Sequence, residues 1–227
     1  LGSYQNGDDI LAADRESCIR EVGWPSCYNW NVWGQKYTLW ALLESAQLLE
    51  DQHILSCCER MADHLIGLIH GMGVRVKDTG VMRGMAACSI LKPMLVLYRL
   101  TGKKEYYDFC LEIAKDWERE DGENPNLITN GLSGVSSANW YPLDGDYING
   151  WHSKAYEMMS CFDGLIELYR VSGEERYLEA VKGFWDSTLR DEANILGSVG
   201  YCELFHHAKD YPDAATEICD VIHWMRL

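Results

Sequence analysis

Apolar residues recur at helical spacing in seven stretches of this chain. From Lys36 to Glu50 the set Leu39, Leu42/Leu43, Ala46 and Leu49 falls on one face, and a second stretch places Ile54, Cys57/Cys58, Met61, Leu65 and Ile69 together. A loop containing Gly71, Gly73, Gly80 and Gly84 leads to a third helix that ends at Thr101-Gly102. Pro93 belongs in or near the first turns of that helix, where its missing N–H is tolerated, or it kinks the helix. The fourth helix carries Tyr106, Phe109/Cys110, Ile113/Ala114 and Trp117. The fifth, about 153–171, carries Ala155, Met158/Met159, Phe162, Leu165/Ile166 and Tyr169; the sixth carries Tyr177, Ala180/Val181, Phe184/Trp185 and Thr188/Leu189. A seventh pattern begins near Ala215. Period-two alternation is brief and confined to about 195–205, and residues 1–33 show no sustained period. The segment from about 122 to 151 reads as one long loop, rich in the turn formers Asn124-Pro125, Asn130-Gly131, Asp144-Gly145 and Asn149-Gly150. Loops of that length are usually functional or mobile.

A short phrase occurs twice. Leu97-Tyr98-Arg99-Leu100-Thr101-Gly102-Lys103-Lys104-Glu105-Tyr106 returns 71 residues later as Leu168-Tyr169-Arg170-Val171-Ser172-Gly173-Glu174-Glu175-Arg176-Tyr177. Each copy joins two helical patterns, so the Gly reads as the left-handed cap of one helix and the Tyr as the start of the next apolar face. A recurring supersecondary unit means an array of helical hairpins. Three hairpins and the start of a fourth give an all-α chain, an α/α toroid built of hairpins. A closed ring of six needs far more chain, so residues 1–227 read as about half of an (α/α)6 barrel with an irregular segment at 1–33. Links within hairpins are short and those between them long, so loops gathered at one end would wall a pocket.

Composition narrows the partners. With 20 basic and 35 acidic residues among 227, the formal charge is −15, which disfavours nucleic acid, since phosphate contacts need clustered Lys and Arg. No apolar run approaches a membrane span and no signal peptide is visible. The nine cysteines are odd in number, and Cys57, Cys58, Cys110 and Cys161 fall on apolar helix faces, so they read as buried thiols rather than a disulfide framework. Reduced thiols fit the cytoplasm and degradation of large glycans fits periplasm or secretion, which leaves the compartment open. Among 9 Trp and 13 Tyr, Trp24, Trp30, Trp33, Trp140, Tyr141 and Trp151 lie in or beside loops. Aromatic faces beside polar groups suit sugar rings, and partly buried loop aromatics are also ordinary packing.

Two segments offer chemistry. Gly197-Ser198-Val199-Gly200-Tyr201-Cys202-Glu203-Leu204-Phe205-His206-His207 presents one carboxylate among aromatics, a setting that favours the neutral form a general acid needs. Fourteen residues beyond Glu203 stands Glu217-Ile218-Cys219. A Glu and a Cys two apart can reach one metal ion, and thiolate with carboxylate suits zinc; an acidic first-turn residue beside a buried thiol is the plainer alternative. The His206-His207 pair is a further ligand candidate or a solvated pair. Lys36, His152, Lys154 and Glu157 flank expected helix starts, where they would bond sugar hydroxyls or form caps. Arg99 and Arg170 recur with the repeat and read as structural. Asp144 and Asp146 are candidate carboxylates that turn formation also explains.

The order of these segments resembles the β-L-arabinofuranosidase-type glycoside hydrolases of family 127. The pieces are Tyr28-Asn29-Trp30-Asn31-Val32-Trp33-Gly34-Gln35-Lys36-Tyr37-Thr38-Leu39, Cys88-Ser89-Ile90-Leu91-Lys92-Pro93-Met94, Lys154-Ala155-Tyr156-Glu157-Met158-Met159-Ser160, the loop with Glu203, and Glu217-Ile218-Cys219 before Trp224-Met225. The resemblance implies an (α/α)6 barrel with Glu203 as general acid/base, and it makes Glu217 and Cys219 two ligands of a zinc held by one Glu and three Cys. One of the other two cysteines is the nucleophile in characterised members. Those two are expected beyond Leu227, unless Cys202 or His223 substitutes. Characterised members also place histidines at several helix starts where Tyr37, Ala87 and Lys154 stand here.

The expectation is therefore a retaining glycoside hydrolase acting on side chains of plant or microbial polysaccharides, with β-L-arabinofuranoside-like bonds one candidate and the sugar left open by the departures at Tyr37, Ala87 and Lys154. Glu203 is its acid/base, Glu217 and Cys219 its metal ligands, and Trp30, Trp33, Lys36, Tyr37, His152, Lys154 and Glu157 its substrate contacts. The alternatives are a non-catalytic carbohydrate-binding or scaffold toroid, and a metal-free toroid enzyme such as an unsaturated uronyl hydrolase or a sugar epimerase. Oligomeric state is left open.

Overall fold

The computed structural model describes residues 8–11, 30–80, 82–122, 124–141, 153–201, 203–210 and 216–227. The chain is all-α, built of packed helical hairpins as an α/α toroid fragment is. Among the described residues, β pairing is limited to the isolated bridges Lys154–Leu204 and Tyr201–Leu204. Contacts divide the chain into two compact units, Leu1–Asn124 and Pro125–Leu227.

The first unit holds α1 (Asn31–Leu49), α2 (Gln52–Met72), a 3-10 turn (Val76–Thr79), the short α3 (Met85–Cys88), α4 (Leu91–Thr101) and α5 (Lys104–Trp117). Helix α1 begins several residues before the apolar period does. Its first turns bury Asn31, Gln35 and Lys36 beside the aliphatic Val32, and a mostly polar buried face carries little hydrophobic signal. Asp51 caps α2 by accepting hydrogen bonds from the N–H groups of His53 (2.7 Å) and Ile54 (3.3 Å). Pro93 occupies the first turn of α4, as expected. Gly102, at φ 71°, ends α4 and donates its N–H to the Tyr98 carbonyl at 2.7 Å. Tyr106 then buries its ring and donates its hydroxyl to Asp63 of α2 at 2.8 Å, tying one hairpin to the other.

The second unit holds α6 (Leu127–Ser133), a 3-10 turn (Ser137–Asn139), α7 (Ala155–Ser172), α8 (Glu175–Asp191), a second 3-10 turn (Ala208–Asp210) and α9 (Ile218–Arg226). Gly173, at φ 72°, repeats the Gly102 cap, with its N–H on the Tyr169 carbonyl at 2.8 Å. Phe162 and Phe184 stack across the α7/α8 hairpin at 4.1 Å between ring centroids, and Trp224 of α9 stacks on Trp185 of α8 at 5.4 Å. Helix α9 begins at Ile218 rather than near Ala215.

The long-loop expectation for 122–151 is corrected by α6 and the turn that follows it. Asn130-Gly131 is helical, although the pair reads as a turn former. Gly131 serves a crossing: a Cβ there would strike the Ala180 carbonyl of α8, and a Cβ on Gly183 would strike the Gly131 carbonyl. Glycine is required for close approach of two backbones, not for a turn. Residues 142–150, with Asp144 and Asp146, lie outside the described residues.

Glu192 ties this segment to the end of α8. It is fully buried and accepts hydrogen bonds from the hydroxyls of Ser136 (2.5 Å) and Ser137 (2.8 Å) and from the Ala138 N–H (3.1 Å). Burial outweighs these donors and raises the carboxyl above its ordinary range. A raised folded value favours the protonated form in the fold. Its stability contribution is therefore complete below the unfolded value, about 4.3 for Glu, and is lost as pH rises through the folded one. Urea midpoints measured from about pH 4.5 to 8 should fall more steeply for the wild type than for Glu192→Gln; parallel profiles would contradict this.

Candidate active site

The loop after α8 turns back on the start of α7. Tyr201 and Leu204 exchange backbone hydrogen bonds (3.0 and 3.1 Å), closing a tight turn that contains Glu203. The Phe205 N–H donates to the Ser153 carbonyl at 3.0 Å, and the Ala155 N–H donates to the Glu203 carbonyl at 2.9 Å. The second bond satisfies a donor that the first turn of α7 leaves without a helical acceptor. Glu203 itself sits at φ 75°, in the left-handed region. For a residue with a Cβ this costs about 1–2 kcal/mol, and such strain concentrates at functional sites.

Lys154 is the N-cap of α7 and is buried. Its ammonium contacts the Glu203 carboxylate and lies 3.8 Å from the carboxylate of Glu157. Glu157 is buried in the first turn of α7, where the helix dipole favours an anion. Behind this group stands Asp220, a residue not singled out from sequence. It is fully buried, and among the described residues no donor reaches either carboxylate oxygen. One of those oxygens lies against Gly200, at a position where a Cβ would not fit, and Ala155 flanks the same spot. Burial and the charge of Glu217 push the Asp220 carboxyl up to about 7; Lys154 opposes that and Glu157 adds to it. In sequence Asp220 looks like any acidic first-turn residue of a helix, so its burial left no signal there.

Glu217, the N-cap of α9, accepts a hydrogen bond from the Cys219 thiol at 3.4 Å. Burial, then Asp220 and Glu217, raise that thiol to about 11, so metal-free Cys219 stays protonated. A carboxylate and a thiol converging in this way match two donors of a zinc shell, and a bound dication would displace the thiol proton. Among the described residues no group of three or more metal-ligating side chains occurs. The pair thus fits part of such a shell. His223 buries its ring against Tyr156 (4.4 Å between centroids) and bonds Ser160 at 2.9 Å.

Other sequence candidates separate. His206 stacks on Tyr201 at 4.0 Å and His207 bonds Asn139 at 3.1 Å, so the His pair serves loop packing. Arg170 pairs with Glu167 within α7. Trp140 packs on Phe162 and Phe184 and donates its indole N–H to the Val135 carbonyl at 2.8 Å, which is core packing. In the first unit, Trp30, Trp33 and Tyr37 form successive edge-to-face contacts at 5.8 and 5.0 Å, and the buried Lys36 ammonium lies 4.3 and 4.5 Å from the Trp33 and Tyr37 rings. These four form one aromatic–cation cluster. Among the described residues Cys57, Cys58, Cys88, Cys110, Cys161 and Cys219 stand outside any disulfide, and of the four expected to be buried only Cys57 is partly exposed. His152, Cys202, Trp24 and Trp151 lie outside the described residues.

A family model described as the catalytic domain of β-L-arabinofuranosidase, GH127, matches residues 12–227. No curated protein and no solved structure matches the chain.

The strained turn makes a direct prediction. Glu203→Gly and Glu203→Ala both remove the carboxylate, but only the Ala variant keeps a Cβ at φ 75°. The Gly variant should be more stable by about 1 kcal/mol in urea denaturation. Equal stabilities would mean that the turn stores no strain.

Proposed function

We propose, from the premise that the chain belongs to the GH127 β-L-arabinofuranosidase catalytic-domain family, that it contributes to hydrolysis of glycosidic bonds in polysaccharide side chains, β-L-arabinofuranoside-like in preference, with retention at the anomeric carbon. At family level the activity is that of a glycoside hydrolase and the substrate a carbohydrate. The observation that carries the finer reading is the strained turn that lays the Glu203 carboxylate on the capped start of α7, in the same unit as Glu217 and Cys219.

In this reading Glu203 gives its proton to the leaving glycosidic oxygen and regains one from water when the sugar is released. Its side chain is partly exposed, at 36%, which leaves it accessible to a leaving group. Glu217 and Cys219 would supply two ligands of a zinc ion, whose chemistry, when bound, is to keep a thiolate deprotonated and oriented. The local charge bears on the sugar. Among the described residues Lys154 faces Glu203, Glu157 and the more distant Asp220, on which Glu217 also acts, so these groups are anionic on balance. That balance favours an uncharged sugar and argues against the uronate substrate of an unsaturated uronyl hydrolase.

Glu203→Gln should lower kcat/KM for an unactivated alkyl β-L-arabinofuranoside by roughly 10²- to 10⁴-fold, and wild-type rates would remove Glu203 from the mechanism. Elemental analysis of the full chain should find zinc that the Glu217→Ala, Cys219→Ser double variant loses; equal zinc in both would sink the ligand assignment.

A further inference from the structure

The structure assigns Lys154 the role of a positioning residue for Glu203: its ammonium fixes the orientation of the carboxyl group, which gives up a proton when it is in the acid form and takes one from water when it is in the carboxylate form. This inference rests on the reading of Glu203 as acid/base and departs from the sequence expectation that Lys154 contacts sugar. Three observations carry it.

The first is convergence. Backbone and side chain of the same short segment grip the same residue. The Ala155 N–H holds the Glu203 carbonyl, Lys154 bridges to Leu204, and the Lys154 ammonium contacts the Glu203 carboxylate. A side chain that leaves a turn at φ 75° points where the turn sends it, and the ammonium fixes where it ends.

The second is access. The Lys154 side chain is only 7% exposed, against 36% for Glu203. A ligand approaching this corner meets the carboxylate, while the ammonium has little surface left for a sugar hydroxyl. Its donors are directed to carboxylates that are already in place.

The third is anchoring. Glu157, 3.8 Å away and buried in the first turn of α7, holds the ammonium from the helix side. Among the described residues the titratable groups around this corner include Lys154 and Glu157 from α7, Asp220 from α9 across Gly200, Glu217 and Cys219 beside Asp220, and His206 stacked on Tyr201 of the same loop. Lys154 is the cation among the charges felt by Asp220. Removing it would leave several carboxylates facing one another, and the exposed Glu203 would swing outward.

The test separates donation of a proton from binding of a sugar by varying the leaving group. Lys154→Met, Lys154→Arg and Glu203→Gln are made in the full chain. Each is assayed for kcat/KM on methyl β-L-arabinofuranoside, whose leaving oxygen needs protonation, and on 2,4-dinitrophenyl β-L-arabinofuranoside, whose leaving oxygen does not. Lys154→Met should lose roughly 100-fold on the methyl glycoside and under about threefold on the aryl glycoside, with Lys154→Arg recovering part of the loss. Equal losses on both substrates would make Lys154 a binding or structural residue and overturn the proposal. Glu203→Gln must show the same selectivity. If it shows none, the acid/base reading fails and takes the proposal with it; if it does and Lys154→Met does not, only the Lys154 role fails. An independent arm needs no turnover. The carboxyl ¹³C titration of Glu203 should move up by about 1 to 3 units in Lys154→Met, and an unchanged midpoint would also overturn the proposal.

Discussion

Two backbone hydrogen bonds between residues 153–155 and 203–205 decide where the Glu203 carboxylate of the second unit lies. Each contributes only about 1 kcal/mol net, comparable to the cost of keeping Glu203 at a positive φ. The balance holds because the bonds fulfil needs on both sides. The start of α7 has an N–H without a helical acceptor, and the turn has a carbonyl that must go somewhere. One contact caps a helix and aims a carboxylate. The proposed reaction needs a proton donor held still beside a leaving group, and a helix start is among the stiffer places in a hairpin protein to hold one.

Around that joint, close approach is bought by small residues. Gly200 leaves room for the Asp220 carboxylate, and Gly131 with Gly183 lets α6 lie directly on α8. Glu192 then fixes the segment after α6 to the end of α8. The outcome is a hairpin stapled at its open end, where Glu192 follows α8 and the 201–205 turn meets the start of α7. In the first unit the same hairpin logic is closed differently. There Tyr106 and Asp63 link the two hairpins, and Lys36 is buried against aromatic rings instead of a carboxylate turn.

Much of this was legible in the sequence, and for physical reasons. Hairpins announce themselves because a left-handed cap needs glycine and a buried face needs a period; Gly102 and Gly173 with Tyr106 and Tyr177 satisfied both. The order of motifs identified the family over most of the chain. Elements whose buried face is polar or glycine-bearing stayed hidden. The first turns of α1 pack Asn31, Gln35 and Lys36 with only Val32 as an aliphatic partner, and α6 buries Leu127 and Ile128 ahead of Asn130-Gly131, so neither shows a sustained apolar stripe. At the site, Glu203, Glu217 and Cys219 were visible as residue types at a spacing. The direction of Lys154, inward onto Glu203, was not, because helix starts look alike whether their side chains meet solvent or a carboxylate. Asp220 was hidden for the same reason, since an acidic residue in a first turn is ordinarily on the surface.

The electrostatic consequence is a corner where, among the described residues, Lys154 stands among several carboxylates, one of them partly accessible. Such an arrangement directs the partly exposed carboxylate and, in the proposed reaction, suits an uncharged sugar better than an anionic one. A crystal structure of Glu203→Gln with an uncleaved β-L-arabinofuranosyl oligosaccharide tests that account most directly. It predicts the residue-203 amide about 2.6–3.2 Å from the glycosidic oxygen, with Lys154 alongside and no direct bond from Lys154 to the sugar. A sugar seated away from residue 203, or one held by Lys154 itself, would contradict it.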